Sequence, residues 1–158
     1  MLARVRELSG GKTVRVGILA DKPKAAERGK HSKKARVRAK VERRARAAPS
    51  LLEVAIIHEF GGGRVPARSF IRATMDEKRA EIVALQVHLA QQVLKGTMTP
   101  EQALNALGAK VAAWCQARIV AGIAPPLAAS TLRRKKRKTT PLILTGQLKS
   151  SITWAVAA

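Results

Sequence analysis

The 158-residue sequence predicts an α+β domain in which a small, mainly antiparallel sheet packs against two long helices. Three observations lead to this expectation: an alternating apolar segment near each terminus, two long amphipathic segments between them, and glycine or proline where those segments end. Because the first and last segments both have the period of a strand, the two termini are expected to meet in one sheet. A single domain over residues 1–158 accommodates these elements.

The first element is predicted to be a strand, followed by a basic arm. Val14, Val16 and Ile18 alternate with polar or small residues, as in a half-buried strand. Residues 22–48 consist mainly of Lys, Arg and Ala and contain only Val37 and Val41 as larger apolar residues, too few to pack against a core. They are predicted to form an arm or long loop inserted after the first strand.

A short buried helix is predicted over Leu51–Phe60. Ser50 and Glu53 have the S-x-x-E spacing of a capping box, and Gly61 ends the apolar segment. After a flexible break of three glycines, the segment Arg64–Phe70 is expected to be extended, because proline restricts the backbone there.

Two long amphipathic helices are predicted in the middle of the chain. The first is expected to begin with a second capping box, Thr74 with Glu77, and its apolar stripe is Ile82, Leu85, Leu89 and Val93. The second begins where Thr99 precedes a proline at the first helical position, and it ends at Gly122. Its apolar stripe is Leu104, Leu107, Val111, Trp114 or Cys115, and Ile119.

The C-terminal part is predicted to contain a basic loop, a short turn and a strand. Residues 128–140 form the loop, which includes the unbroken basic run Arg133–Lys138. Thr145 is expected to cap a short helical turn. The closing strand is predicted from the alternation of Ile152, Trp154 and Val156.

The net charge of +21 comes mainly from the arm and the basic loop. Of the 31 basic residues, 12 lie between Lys22 and Arg46 and six lie in the run Arg133–Lys138. Two interpretations stay open: non-specific contact with phosphates, or contact with an acidic protein partner. The candidate contact residues are Lys30, Lys33, Lys34, Arg36, Arg38, Lys40, Arg43, Arg44, Arg133, Arg134, Lys135, Lys136, Arg137 and Lys138.

The sequence contains no pattern that predicts an enzyme, a metal site or a bound cofactor. His58-Glu59 lacks the second histidine that a zinc-protease motif needs one helical turn later, where Gly62 stands. The glycine run lacks the Lys-Ser/Thr of a phosphate-binding loop, and no spacing of acids indicates a catalytic pair. With no signal-peptide or membrane-spanning segment in the sequence, a soluble cytoplasmic product is expected.

Two ordered blocks of sequence carry a resemblance to a known family. The block Leu52–Gly61, followed by Val65–Arg72, resembles a signature of the tail-completion and minor-tail proteins of long-tailed, lambda-like bacteriophages. A second block, Pro125–Leu127 with Ser130-Thr131 and then Pro141–Leu148 with Ser151-Ile152, is similar to the C-terminal half of the same pattern. The resemblance covers residues 13–20 and 51–156. The chain departs from it at Leu144, where the family tends to have an acid, and in its long basic arm.

The resemblance implies a non-enzymatic virion protein that forms a ring at the head-proximal end of the tail. It would be assembled in the host cytoplasm. A hexameric ring is the favoured expectation, and a dodecameric ring is the second. Its expected partners are neighbouring connector and tail-tube proteins, with the end of the genome DNA as a further candidate, and neither a membrane nor a cofactor is expected. The alternative is a sequence-independent nucleic-acid-binding protein that acts through the basic arm.

A subunit interface is expected around the glycine break and the segment that follows it. A ring needs a segment that reaches a neighbour, and a proline-stiffened strip with an aromatic residue and arginines suits that role. An equally open interpretation is that Phe70 fills the core of its own chain. The predicted interface residues are Phe60, Arg64, Pro66, Arg68, Phe70 and Arg72.

Overall fold

A computed structural model describes residues 11–18, 50–134, 140–143 and 145–157, and these residues form an α+β fold. Two strands, β1 (Thr13–Ile18) and β2 (Ile152–Ala157), lie near the termini. Between them, the described helices are α1 (Leu51–Phe60), α2 (Arg72–Glu77), α3 (Arg79–Leu94), α4 (Pro100–Ala121), α5 (Ala129–Arg134) and α6 (Gln147–Ser150). The predicted basic arm, residues 22–48, lies outside the described residues.

The two strands pair antiparallel, which confirms that the terminal strands meet in one sheet. Val14 lies opposite Val156, Val16 opposite Trp154 and Ile18 opposite Ile152. Because directly opposed residues of an antiparallel pair share a face, these apolar residues line the same side of the sheet. That side packs against the core.

Of the two long helices, α4 lies directly on the sheet and α3 packs on α4. The residues of α4 that α3 and the sheet bury are Ala103, Leu107, Gly108, Val111, Ala112, Cys115 and Ile119. Cys115, rather than Trp114, therefore completes the predicted stripe, and three small residues allow the sheet and α3 to approach α4 closely. The apolar stripe predicted for α3 faces the core: Leu89 is buried, and Ile82, Leu85 and Val93 are half-buried against the same cluster.

The prediction of a capping box at Thr74 is wrong. Helix α2 begins at Arg72, so Thr74 lies inside it, and its hydroxyl donates to the carbonyl of Phe70 at 2.7 Å. The turn at Lys78 then separates α2 from α3. A side chain from α1, the carboxylate of Glu59, supplies the cap for the start of α2 in place of a local threonine.

Two further predictions differ from the structure. Helix α1 has the predicted bounds and capping box but is not buried, since only Ala55 and Glu59 are inaccessible to solvent. The segment 128–140 was predicted as a loop, yet it begins with the helix Ala129–Arg134. Ala, Leu and Arg are strong helix formers, which favours a helical turn over a loop there.

The Thr99 capping box is confirmed, and its removal should weaken the fold measurably. The Thr99 hydroxyl accepts from the Gln102 backbone N–H at 3.2 Å, and the Gln102 side chain accepts from the Thr99 N–H at 2.9 Å. We expect Thr99→Ala to lower the free energy of unfolding by about 1 kcal/mol in urea titrations, because an N–H at the helix start loses its acceptor. Thr99→Ser retains the acceptor and is the control. Equal stability of the Ala and Ser variants would contradict this role.

Candidate interaction surface

Helix α1 exposes a cluster of large apolar side chains on the side that faces away from the core. The four residues, which we call the α1 surface, are Leu52, Ile56, Ile57 and Phe60. Phe60 is 61% exposed and Ile56 is 50% exposed. Together they present apolar area on the order of a few hundred Å², which is the size of the largest apolar patch on a typical soluble monomer, a patch that is often functional.

The opposite side of α1 is attached to the core. Ala55 is buried with Phe70, Ala112 and Cys115, and Leu51 packs against the same cluster. After the helix, the N–H of Gly62 donates to the carbonyl of Val65 at 3.0 Å and the reciprocal bond is 2.9 Å long. These two bonds close a tight turn that carries the exposed Arg64 beside the end of α1.

Glu59 holds α1 to the start of α2 through its buried carboxylate. One oxygen accepts from the backbone N–H groups of Phe70 and Ile71, at 2.9 and 3.1 Å. The other accepts from the Ser69 hydroxyl at 2.6 Å and from the Arg72 backbone N–H at 2.9 Å. The first N–H groups of a helix have no partner within it, so this carboxylate caps α2 from a different element. We call this group, Glu59 with residues 69–72, the Glu59 clamp.

The hydrogen bonds keep Glu59 ionised although it is buried. Burial by itself would raise its pKa, but the bonds from the Ser69 hydroxyl and the backbone of Arg72, Ile71 and Phe70 favour the charged form. They outweigh burial, and the pKa of Glu59 lies below its usual value of 4.5. The clamp therefore consists of a fixed negative charge facing a helix N-terminus, with the Arg72 guanidinium 3.4 Å away.

Arg68 and Arg118 join the same region to the C-terminal half of the chain. The buried Arg68 side chain donates to the carbonyls of Pro125 and Pro126, at 2.9 and 3.2 Å. Arg118 on α4 donates to the carbonyl of Ser69 at 3.1 Å and also pairs with Glu77. The two sequence blocks that carry the family resemblance thus contact each other through Arg68.

The structure separates the predicted interface residues into two groups. Phe70 has no exposed surface and Arg68 is 5% exposed, so in this fold both contribute to the core and neither is free to contact a partner. Phe60, Arg64, Pro66 and Arg72 are exposed. The Arg72 guanidinium lies 4.4 Å from the centre of the Phe60 ring, a cation–π contact that limits the rotation of both side chains.

The predicted basic contact residues lie mostly outside the described part of the chain. This holds for Lys30, Lys33, Lys34, Arg36, Arg38, Lys40, Arg43, Arg44, Lys135, Lys136, Arg137 and Lys138. Arg133 and Arg134 form the end of α5, and Arg133 is exposed.

Sequence reasoning missed the Glu59 clamp, although one signal was present. Glu59 is an acid that follows a run of apolar residues in α1, and a Ser-Phe-Ile-Arg segment starts ten residues later. An acid on the inner side of a helix needs donors, and the first turn of another helix offers several.

The partial burial of His58 leads us to expect that the stability of the fold depends on pH. Its Nδ1 is buried and has no hydrogen-bond partner among the described residues. Burial, and then the charge of Arg68, lower the pKa of His58 from its usual value of 6.5. The unfolded chain therefore binds a proton near pH 6.5 that the folded chain does not bind, and stability falls as the pH falls below that value.

Urea titrations at pH 7.5 and pH 5.5 measure this effect. The wild type should be less stable at pH 5.5, and His58→Gln should reduce the difference between the two values. If the difference is the same in both proteins, His58 is not its source.

No protein-family model, curated protein or solved structure matches the chain. Within the described ranges, no group of three or more His, Cys, Asp or Glu residues is placed to hold a metal ion. In the same ranges, every helix is too short or too polar to cross a membrane.

Proposed function

We propose that this protein is a structural component of the bacteriophage neck or tail end, and that copies of it form a ring that completes the tail and joins it to the head. The observation that carries the proposal is the α1 surface, an exposed apolar cluster on a helix that is fixed to the core by a buried, ionised clamp. A fixed apolar surface is suited to repeated protein–protein contact, because little conformational entropy is lost when it binds.

The contacts give a physical reason for the sequence pattern on which the resemblance rests. Within the first block, Glu59 binds residues 69–72, and Arg68 binds the Pro125-Pro126 carbonyls of the second block. Several residues of the pattern, Glu59 and Arg68 among them, therefore help to set the position of α1. A family that assembles through this helix would need the same residues, and this supports the structural role.

Sequence-independent nucleic-acid binding is the second candidate function. The observation that favours it is the concentration of 12 basic residues between Lys22 and Arg46, in a chain of net charge +21. Such a segment binds phosphates regardless of base sequence and with a strong dependence on salt. In the proposed ring, the same segment would hold the genome end or an acidic surface of an adjoining ring.

Deleting residues 22–46 separates the two functions. If the deleted chain still forms rings but no longer binds DNA in a salt titration, the arm serves nucleic acid and α1 serves assembly. If the deletion abolishes the ring as well, the arm is part of the assembly contact.

The native mass of the purified full-length chain tests the ring. We expect a mass of six or twelve chains for the wild type and a monomer for Ile56→Asp, because a buried unpaired carboxylate is unfavourable in an apolar contact. Val120→Asp changes an equally exposed apolar residue on α4 and is the matched control. A wild-type chain that stays monomeric at high concentration, and also with tail-tube and connector proteins present, would contradict the proposal.

A further inference from the structure

Resting on the proposed ring, we infer that its contact is head-to-tail: the α1 surface of one copy packs against a second apolar surface, on α3, of the next copy. This second surface consists of Val83, Val87, Ala90 and Leu94, and we call it the α3 stripe. The two surfaces lie on different elements of one chain, so each copy can bind one neighbour with each.

The α3 stripe lies beside the side of α3 that packs on α4. Its residues are spaced at i, i+4, i+7 and i+11, which places them along one side of a helix. Val83, Val87 and Leu94 are exposed, and Leu94 reaches 69%. The residues that face α4, among them Ile82 and Leu89, belong to the core cluster. Helix α3 is thus apolar over more of its circumference than its own fold uses.

The symmetry of a ring requires two different surfaces. A surface that pairs with itself closes a dimer, whereas a ring repeats one contact between two unlike, complementary surfaces. Among the described residues, the exposed large hydrophobics are four on α1, three on α3, and two others, Val120 and Trp154. The described part of the chain therefore carries two main apolar surfaces.

The shapes of the two surfaces suit helix-on-helix packing. Leu52, Ile56 and Phe60 form a ridge with a spacing of four residues, and Val83 and Val87 form another. Ridges of this kind fit into each other's grooves when two helices cross at about −50°. The basic arm offers no comparable occupant, since Val37 and Val41 are its only larger apolar residues.

Charge also favours a second copy as the occupant. Arg64 is exposed beside the α1 surface and makes no ion pair with another described residue. Of the six acids in the described ranges, three lie just before the α3 stripe: Asp76, Glu77 and Glu81. Glu77 pairs with Arg118, and Glu81 pairs with Lys78. Asp76 is exposed and lies seven residues before Val83, so its carboxylate can contact a cation of a neighbouring copy. Arg64 of one copy and Asp76 of the next can form that pair.

A mixing experiment with two variants tests the head-to-tail contact. Ile56→Asp disables the α1 surface and leaves the α3 stripe intact, while Val87→Asp does the reverse. Each variant alone should be monomeric by native mass spectrometry. An equimolar mixture, with one variant isotopically labelled, should give a heterodimer of one copy of each, which cannot close into a ring. Circular dichroism checks that both variants are folded, as their exposed positions predict.

Other outcomes of the mixing experiment would overturn the inference. If Val87→Asp alone forms dimers and the mixture gives no heterodimer, the α1 surface pairs with itself. If Val87→Asp still forms the wild-type ring, the α3 stripe is not part of the contact, although the ring and the proposed function remain. A wild type that stays monomeric at high concentration, and also with tail-tube and connector proteins present, would overturn both the inference and the proposed function. If a chain that lacks residues 1–10 forms a ring but the full chain does not, the N-terminal segment covers one of the two surfaces. The inference then fails for the full chain.

A charge exchange tests the ion pair. Arg64→Asp and Asp76→Arg should each weaken ring formation by about tenfold or more in concentration, because like charges then face each other. The double variant restores the opposite pairing and should recover most of the loss. Failure of the double variant to recover, with both single variants impaired, would overturn the Arg64–Asp76 pairing.

Discussion

Replacing Glu59 with alanine is expected to lower the free energy of unfolding by about 2–4 kcal/mol, because buried donors lose their acceptor. The substitution removes the acceptor of five hydrogen bonds, from the Ser69 hydroxyl, from the backbone N–H groups of Phe70, Ile71 and Arg72, and from the Arg72 guanidinium. Phe70 is fully buried, so its N–H has no water to replace the lost partner. Urea unfolding at pH 7.5, followed by circular dichroism, measures the loss.

Two further variants separate the clamp from the general effect of removing an acid. Glu101→Ala removes an exposed acid whose ion pair with Lys12 is 3.5 Å long, and it should cost less than about 1 kcal/mol. Glu59→Gln keeps one acceptor oxygen and should fall between the two. A loss for Glu59→Ala no larger than that for Glu101→Ala would show that the carboxylate does not hold α1 to α2.

The lowered pKa of Glu59 adds an acid limit to stability. Because the pKa is lower in the folded chain than in the unfolded chain, the contribution of this residue is complete above pH 4.5 and is lost as the pH falls through the folded value. The glutamine side chain of Glu59→Gln does not ionise, so the stability of this variant should lack this part of the dependence on acidic pH.

Replacing Gly108 with alanine is expected to destabilise the fold by about 1–3 kcal/mol, although alanine is the better helix former. A Cβ at this position would lie 2.6 Å from two atoms of the Trp154 ring and 2.8 Å from a methyl group of Val14. Both neighbours belong to the sheet, and the Trp154 indole donates to the Asn105 side chain at 3.1 Å, which restricts the movement of the ring. Helix α4 would have to move away from the sheet.

An exchange on the opposite side of the same helix is the control. Ala113 is exposed on α4, and Ala113→Gly should cost about 1 kcal/mol through helix propensity alone. If Gly108→Ala is neutral or stabilising in thermal and urea unfolding, the close approach of α4 to the sheet is not required for the fold.

The local features of the fold could be predicted from the sequence because short-range patterns determine them. The alternation in β1 and β2 and the capping residues Ser50 and Thr99 involve residues a few positions apart. The antiparallel pairing of the terminal strands followed from their shared period. These features could be predicted because propensity and tertiary packing favour the same structure.

The candidate site depends on contacts between distant residues, which local patterns do not determine. Thr74 has the spacing of a capping box, yet Glu59 caps α2 instead, because its carboxylate binds three consecutive N–H groups where a threonine hydroxyl binds one. Arg68 is a charged residue in an apparent surface segment, and only the carbonyls of Pro125 and Pro126 explain its burial. Helix α1 was predicted to be buried because its composition is apolar, but composition does not show whether its own chain or a partner covers it.

The most direct test of the proposed function is cryo-electron microscopy of particles assembled from this chain together with connector and tail-tube proteins, its proposed partners. We predict a closed ring of six or twelve copies at the head-proximal end of the tail, with Ile56 and Phe60 of each copy buried against Val87 and Leu94 of the next. Particles in which the neck is complete without this chain, or in which single copies coat the DNA with the α1 surface uncovered, would contradict the proposal.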